Sequence, residues 1–227
     1  MQFPSCPVAM VDGHYPRAVL ILAFDTAAPV VSVAVHDGAR VLGEAAGSGA
    51  MAHGERLAPA IADVLEQAGV AMADVTDVAV GVGPGPFTGL RVGVVTALTL
   101  GSTGITTHGV CSLDIVAAEV ALDTPFIVAT DARRKEVYWG LYDRGVRIEG
   151  PAVDRPADLA ALHRGVPVFG RGGELYADVL PAQSGPLDPS AAVLAAGVAA
   201  GTFDQLPLQP LYLRRPDVAQ PTAPKRA

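Results

Sequence analysis

Short apolar runs alternate along the chain with longer stretches in which apolar residues recur every three or four positions. Residues 19–24, VLILAF, read as a fully buried strand ended by Asp25. VVSVAVHDG predicts a second strand with Asp37-Gly38 as its turn, and a third follows near residues 40–45. Leu57, Ile61, Val64, Leu65 and Ala68 share one helical face. Gly69 is placed to end that helix, and Pro59 suits its first turn better than its interior. DVAVGV predicts another strand, and residues 87–100 predict a second helix stopped by Gly101. ITTHGV and SLDIVAAEVAL then predict a strand and a third helix.

The pattern then restarts. Laid beside FDTAAPVVSVAVHDG, the segment TDARRKEVYWGLYDRG puts Asp131 on Asp25, Asp143 on Asp37 and Val137–Leu141 over Val31–Val35. Each segment holds a strand ending in Asp, a tight turn, a returning strand and a second turn with Asp and Gly. This repeat predicts two related α/β lobes, at residues 19–122 and 123–218, jointed at Asp123-Thr124-Pro125. The second lobe is expected to hold strands at 125–130, 136–142 and 166–169, a glycine turn in GRGGELYADVL, and an Ala-rich helix at 188–200. Residues 1–18 read as a disordered leader lacking the apolar core of a secretory signal, and 219–227 as a mobile tail.

Composition narrows the classes of function. Half the 227 residues are apolar, yet no run approaches the roughly 20 residues that span a bilayer. The net charge of −7 argues against independent RNA binding, which draws most of its affinity from neutralised phosphates. Two short basic clusters, Arg133-Arg134-Lys135 and Arg214-Arg215, read as solvated surface charge. Two cysteines, Cys6 and Cys111, so far apart in pattern predict a reduced cytoplasmic protein without a structural disulfide.

Candidate chemistry centres on GVGPGPFTGLRVG, residues 81–93. Glycine turns that open helices cradle anions with bare N–H groups and the helix dipole. This one is not a Walker A loop, and Thr88 stands where a Rossmann fingerprint needs its third Gly. Arg91, in the first helical turn, is poorly placed against the dipole unless an anion or carboxylate lies nearby. A phosphate cradle and a ligand-free strand-to-helix turn therefore both stand. Asp25 and Asp131 read either as a metal- or phosphate-facing pair across a cleft or as turn aspartates. The histidines at 14, 36, 53, 108 and 163 form no metal-binding spacing, no serine sits in a G-x-S-x-G elbow, and Asp114 beside Cys111 would raise rather than lower the thiol pKa. No catalytic residue and no metal ligand set emerges.

ILAFDTAAPVVSVAV, GVGPGPFTGLRVG, DARRKEVYW and PLYLRRPDV, in this order across residues 19–218, resemble the TsaB (YeaZ) family of the bacterial machinery that makes N6-threonylcarbamoyladenosine beside the tRNA anticodon. The resemblance implies the two-lobed actin/sugar-kinase/Hsp70 (ASKHA) fold with mixed sheets. It extends more distantly to the catalytic paralogue TsaD, whose two metal-binding histidines fall here on Ser112 and Val116. One departure is Pro86, where the family commonly has Ser. The resemblance thus implies a noncatalytic subunit with TsaD and TsaE as partners, a homodimer when alone, and contact with tRNA only through the complex. It implies no cofactor of its own, with room for weak ATP or ADP binding at a remnant site of Asp25, Thr26, Gly83, Gly85, Thr88, Asp131 and Gly172. The partner would dock on the helices at 55–68 and 87–100, through Ala60, Val64, Arg91, Gly93 and Ala97. The rival reading is an ASKHA-fold kinase acting alone, with Asp131 as its base.

Overall fold

The computed structural model describes residues 19–47 and 53–214; the expectations for the leader, the tail, Cys6, His14 and Arg215 lie outside the described residues. The first three strands, β1 (Ile21–Asp25), β2 (Val31–His36) and β3 (Val41–Gly47), form an antiparallel meander. Helix α1 (His53–Ala68) crosses over and returns the chain to β4 (Asp77–Gly83), parallel to β1. Helix α2 (Phe87–Gly101) returns it again to β5 (Thr106–Cys111), parallel to β4, so the sheet order is β3-β2-β1-β4-β5. The short helix α3 (Ser112–Ala117) closes this half.

The second half repeats the scheme. Strands β6 (Phe126–Asp131), β7 (Val137–Asp143) and β8 (Val146–Asp154) form a meander. Helix α4 (Pro156–Leu162) crosses to β9 (Val168–Phe169), parallel to β6, in the order β8-β7-β6-β9. A glycine turn and helix α5 (Arg171–Leu175) follow β9, as the glycine loop and α2 follow β4. The duplicated lobe read from two aspartates is thus visible as one topology built twice.

Alternation sorts the first sheet into two cores. Leu22, Phe24, Val33, Val35, Val78 and Val80 face α1 and α2, meeting Leu57, Ile61, Val64, Val94 and Ala97. Ile21, Ala23, Ala34 and Ala79 face the other way and carry α6 (Ala191–Ala200) through Ala191, Leu194 and Ala195. Small residues on both sides let α6 lie close to the sheet. Its start is tied there by the Ala191 N–H, which donates to Ser32 Oγ at 2.9 Å. The Ala-rich helix expected in the second half of the chain therefore packs on the first sheet, and it begins three residues later than the pattern suggested.

Other elements differ from expectation for local reasons. Pro59 lies inside α1, well past its first turn. Helix α3 stops at Ala117 instead of running to 122, because Ala118, Glu119 and Val120 close back on Asp114, Val116 and Ala117 in turns. Strand β8 and helix α4 carried no legible pattern: Gly150-Pro151 interrupts the first, and the second has one buried turn behind Pro156. The lobes are joined by a core in which Cys111, Leu113, Val116 and Ala117 meet Phe126, Val128 and Tyr142.

Candidate functional site

The two repeated aspartates adopt the same local role. Asp25 Oδ1 accepts from the Ala27 N–H at 2.7 Å, and Asp131 Oδ1 accepts from the Arg133 N–H at 2.8 Å. Both brace the first turn of their hairpins. Their other oxygens diverge. Asp25 is fully buried and its Oδ2 accepts from Ser112 Oγ at 2.6 Å, while Ser112 Oγ also receives the Gly83 N–H at 3.2 Å. Asp131 Oδ2 lies 3.6 Å from the Arg133 guanidinium. Asp25 is sealed in the first lobe, whereas Asp131 is half-buried at its turn.

The glycines of the loop are filled by the chain itself. A Cβ on Gly85 would run into the Ala27 backbone, one on Gly83 would come within 2.8 Å of Leu90, and one on Gly93 within 2.5 Å of Thr26 Oγ1. In the second lobe a Cβ on Gly172 would meet the Ala129 carbonyl carbon at 2.9 Å. Thr26 is buried and donates to the Gly89 carbonyl at 2.7 Å, so it anchors the start of α2. Gly83 and Gly85 are buried, whereas Thr88 and Arg91 are exposed. In open α/β sheets ligands settle beyond the carboxyl ends of the parallel strands. Here residues 206–212 cross those ends, with the Leu206 N–H donating to Gly109 O and the Leu211 N–H to Val82 O, each at 2.8 Å. The structure brings Asp25, Thr26, Gly83 and Gly85 together around close backbone packing; Asp131 and Gly172 sit in the equivalent place of the other lobe.

Arg91 packs among aromatic side chains. Its guanidinium lies 3.9 Å from the Phe87 ring centroid and Nε donates to Tyr212 Oη at 3.0 Å. Phe87 and Tyr212 stack at 4.9 Å. The cation–π contact partly offsets the unfavourable dipole.

The positions assigned to metal-binding histidines in the distant paralogue are Ser112, spent on Asp25 and Gly83, and Val116, in the core between the lobes. Among the described residues no group of three or more His, Cys, Asp or Glu side chains gathers as a metal site. Burial pushes the Cys111 thiol up to about 12, with Asp114 adding to the rise and Arg147 opposing it. At pH 8 the thiolate is then on the order of 0.01% of the thiol. We expect Cys111 in a Cys6→Ser variant to ignore a soluble disulfide reagent at pH 8 until the protein is unfolded. Native reaction within minutes would contradict this placement.

One cluster escaped the sequence reading. Tyr142 Oη donates to Asp114 Oδ1 at 2.7 Å, and Arg147 lies 3.5 Å from the same oxygen while Nη1 donates to Cys111 Sγ at 3.1 Å. Burial holds the Asp114 carboxyl above its ordinary value, against the Tyr142 hydrogen bond and the Arg147 charge. Asp114 belongs to α3 and the other two to β7 and β8, so the cluster ties the lobes beside their shared core. Only the charge of Asp114 was legible; Arg147 sat in a strand that the pattern hid.

The expected interface residues divide. Val64, Gly93 and Ala97 are buried against the sheet, because they fall on the faces that α1 and α2 turn inward. Ala60 is half-buried and Arg91 exposed. The outward face of α2 instead presents Val95 and Leu98, 58% and 49% exposed, in line with Thr88 and Arg91. On neighbouring α1, Ala58 and Ala62 are also exposed.

Comparison with known proteins places this arrangement. Residues 46–200 match the family model described as TsaD, tRNA N6-adenosine threonylcarbamoyltransferase. An uncharacterised protein of Mycobacterium tuberculosis is 46% identical over 212 residues, 89% of this chain and 95% of that one. The tRNA threonylcarbamoyladenosine biosynthesis protein TsaB of Escherichia coli is 36% identical over 129 residues, 55% of each chain. Among solved structures, YeaZ from Pseudomonas aeruginosa superposes with a TM-score of 0.72 at 30% identity, covering 86% of this chain and all of the other. The ethanolamine utilization protein EutJ of Carboxydothermus hydrogenoformans, at 12% identity and TM-score 0.51, shares the fold alone.

Proposed function

The chain belongs to the TsaB (YeaZ) family, with its ASKHA-type fold, and on that premise we propose that it acts in tRNA threonylcarbamoyladenosine biosynthesis as a noncatalytic subunit supporting a TsaD transferase together with TsaE. The observation that supports the noncatalytic part is the internal hydrogen bonding beside the glycine turn, where Ser112 links Asp25 to the Gly83 N–H. The supporting part rests on α2, whose exposed Val95 and Leu98 form an apolar stripe on the helix opened by the glycine loop. On this reading the chain holds no cofactor, ATP or ADP binds weakly at most, the protein works in the cytoplasm, and tRNA is met only in the complex. Pairing of two copies through the same stripe accounts for a homodimer when the partner is missing. Among the described residues no helix is long and apolar enough to cross a membrane.

Reconstitution tests the reading. With tRNA and threonylcarbamoyl-AMP supplied, the chain alone should make no modified adenosine, and the complete set of subunits should lose activity when it is omitted. Product from the chain alone would refute the noncatalytic role. Centrally placed changes dominate interface energetics, so Leu98→Arg should weaken TsaD binding at least tenfold, while Asp158→Arg on the second lobe should leave it unchanged. Equal binding by wild type and Leu98→Arg would move the interface elsewhere.

A further inference from the structure

The β6–β7 turn stands apart from the rest of this acidic chain. Arg133, Arg134 and Lys135 are consecutive and exposed, and all three adopt left-handed backbone, with φ of 61, 53 and 62°. Left-handed φ is uncommon for residues with a Cβ, and each costs free energy that Gly would not. Neighbouring groups hold the turn in place. The Ala132 N–H donates to Glu136 O, the Glu136 N–H to Arg133 O, and the Arg133 N–H to Asp131 Oδ1. Arg214 reaches across from the C-terminal strap, donating to Ala132 O at 3.2 Å and pairing with Glu136.

Two carboxylates, Asp131 and Glu136, stand against Arg133, Arg134, Lys135 and Arg214, so the turn is net positive although the chain carries −7. The matching turn of the first lobe, Thr26–Val30, has no charged residue. Duplication of the fold therefore does not account for the cations. The strap that braces the turn also carries Tyr212, which stacks on Phe87 in the first turn of α2. The basic tip thus lies close to the end of the helix whose face we assign to the partner.

We propose that this turn, through Arg133 and Lys135, is a phosphate-contacting point for RNA at the rim of that face; the inference rests on the subunit reading above. An acidic protein partner fits less well. Protein interfaces take their energy from buried apolar and aromatic anchors, and the turn's apolar neighbours Ala132 and Val137 are buried. Phosphate contacts need only positioned charge. A single positive tip on a −7 chain orients RNA without binding it tightly to the free subunit.

The test uses the full chain assembled with its TsaD and TsaE partners, with unmodified substrate tRNA as the probe. Arg133→Gly/Lys135→Gly should weaken tRNA binding by the complex roughly tenfold and lower the slope of log affinity against log salt by about 2. Subunit association should not change. Because Gly relieves left-handed backbone, the melting temperature should hold or rise by about 2 °C, and Lys135→Gln should reproduce part of the affinity loss with the backbone type retained. Unchanged tRNA affinity and salt slope in an intact complex would overturn the inference. Weakened subunit association with unchanged tRNA affinity would overturn it in favour of an acidic protein contact. A wild-type chain that forms no complex would overturn the subunit reading and this inference with it.

Discussion

Gly81→Ala is expected to remove most of the folding free energy of this protein. Gly81 lies in β4, and a Cβ there would overlap Asp25 Oδ2, with Asp25 Cγ at 2.7 Å and Ser112 Oγ at 2.8 Å. Neither neighbour can retreat. Asp25 and Ser112 are buried, Asp25 Oδ1 is held by the Ala27 N–H, and Ser112 Oγ also receives the Gly83 N–H. Making room breaks hydrogen bonds to a buried carboxylate, about 1.5–3 kcal/mol each, and adds overpacking of about 1–3 kcal/mol. The total, on the order of 5 kcal/mol, is comparable with the whole stability of many domains. Urea unfolding followed by circular dichroism should show a greatly reduced transition midpoint or none. A midpoint close to wild type would mean that the Asp25–Ser112 contact is not formed as described. Asp25→Ala combined with Gly81→Ala should cost less than the two changes added, since Asp25→Ala removes the carboxylate that the new methyl would strike.

Arg147→Ala should be the second most damaging change, with a signature in pH. It leaves Asp114, whose side chain is 14% exposed, without the cation at 3.5 Å. Removing one partner of a buried pair costs roughly 3 kcal/mol. Burial already raises the Asp114 carboxyl above 3.8, and losing the guanidinium raises it further. A carboxyl raised in the folded state contributes stability that is present below its unfolded value and lost as pH rises through the folded one. The deficit of Arg147→Ala relative to wild type should therefore be greatest at pH 7 and shrink towards pH 4. A deficit independent of pH would assign the loss to the packing of the Arg147 stem. A deficit that grew on acidification would contradict the raised carboxyl. Tyr142→Phe, which removes only the hydroxyl donor to Asp114, should show a smaller deficit.

Most strands, the crossover helices of the first lobe and the duplicated meander were written in the residues themselves. Apolar runs such as VLILAF and DVAVGV, short and bounded by turn residues, fit buried strands, and the spacing Leu57–Ile61–Val64–Leu65–Ala68 sets one helical face. The aspartate repeat survived as equivalent turns at Asp25 and Asp131 because each turn is satisfied within two residues. Tertiary structure decided what lay beyond local reach. A small residue permits close approach but does not say to what. Gly93 and Ala97, read as a surface for a partner, meet Thr26 and the protein's own sheet, while Val95 and Leu98 took the outer face. The glycine loop has the composition of a phosphate cradle, but how it packs turned on Ser112, 87 residues from the Asp25 it binds, and on Leu211, whose N–H donates to Val82 O. Periodicity records which residues share a face. It carries no information on which distant segment covers that face, since any segment of matching size and polarity satisfies the same pattern.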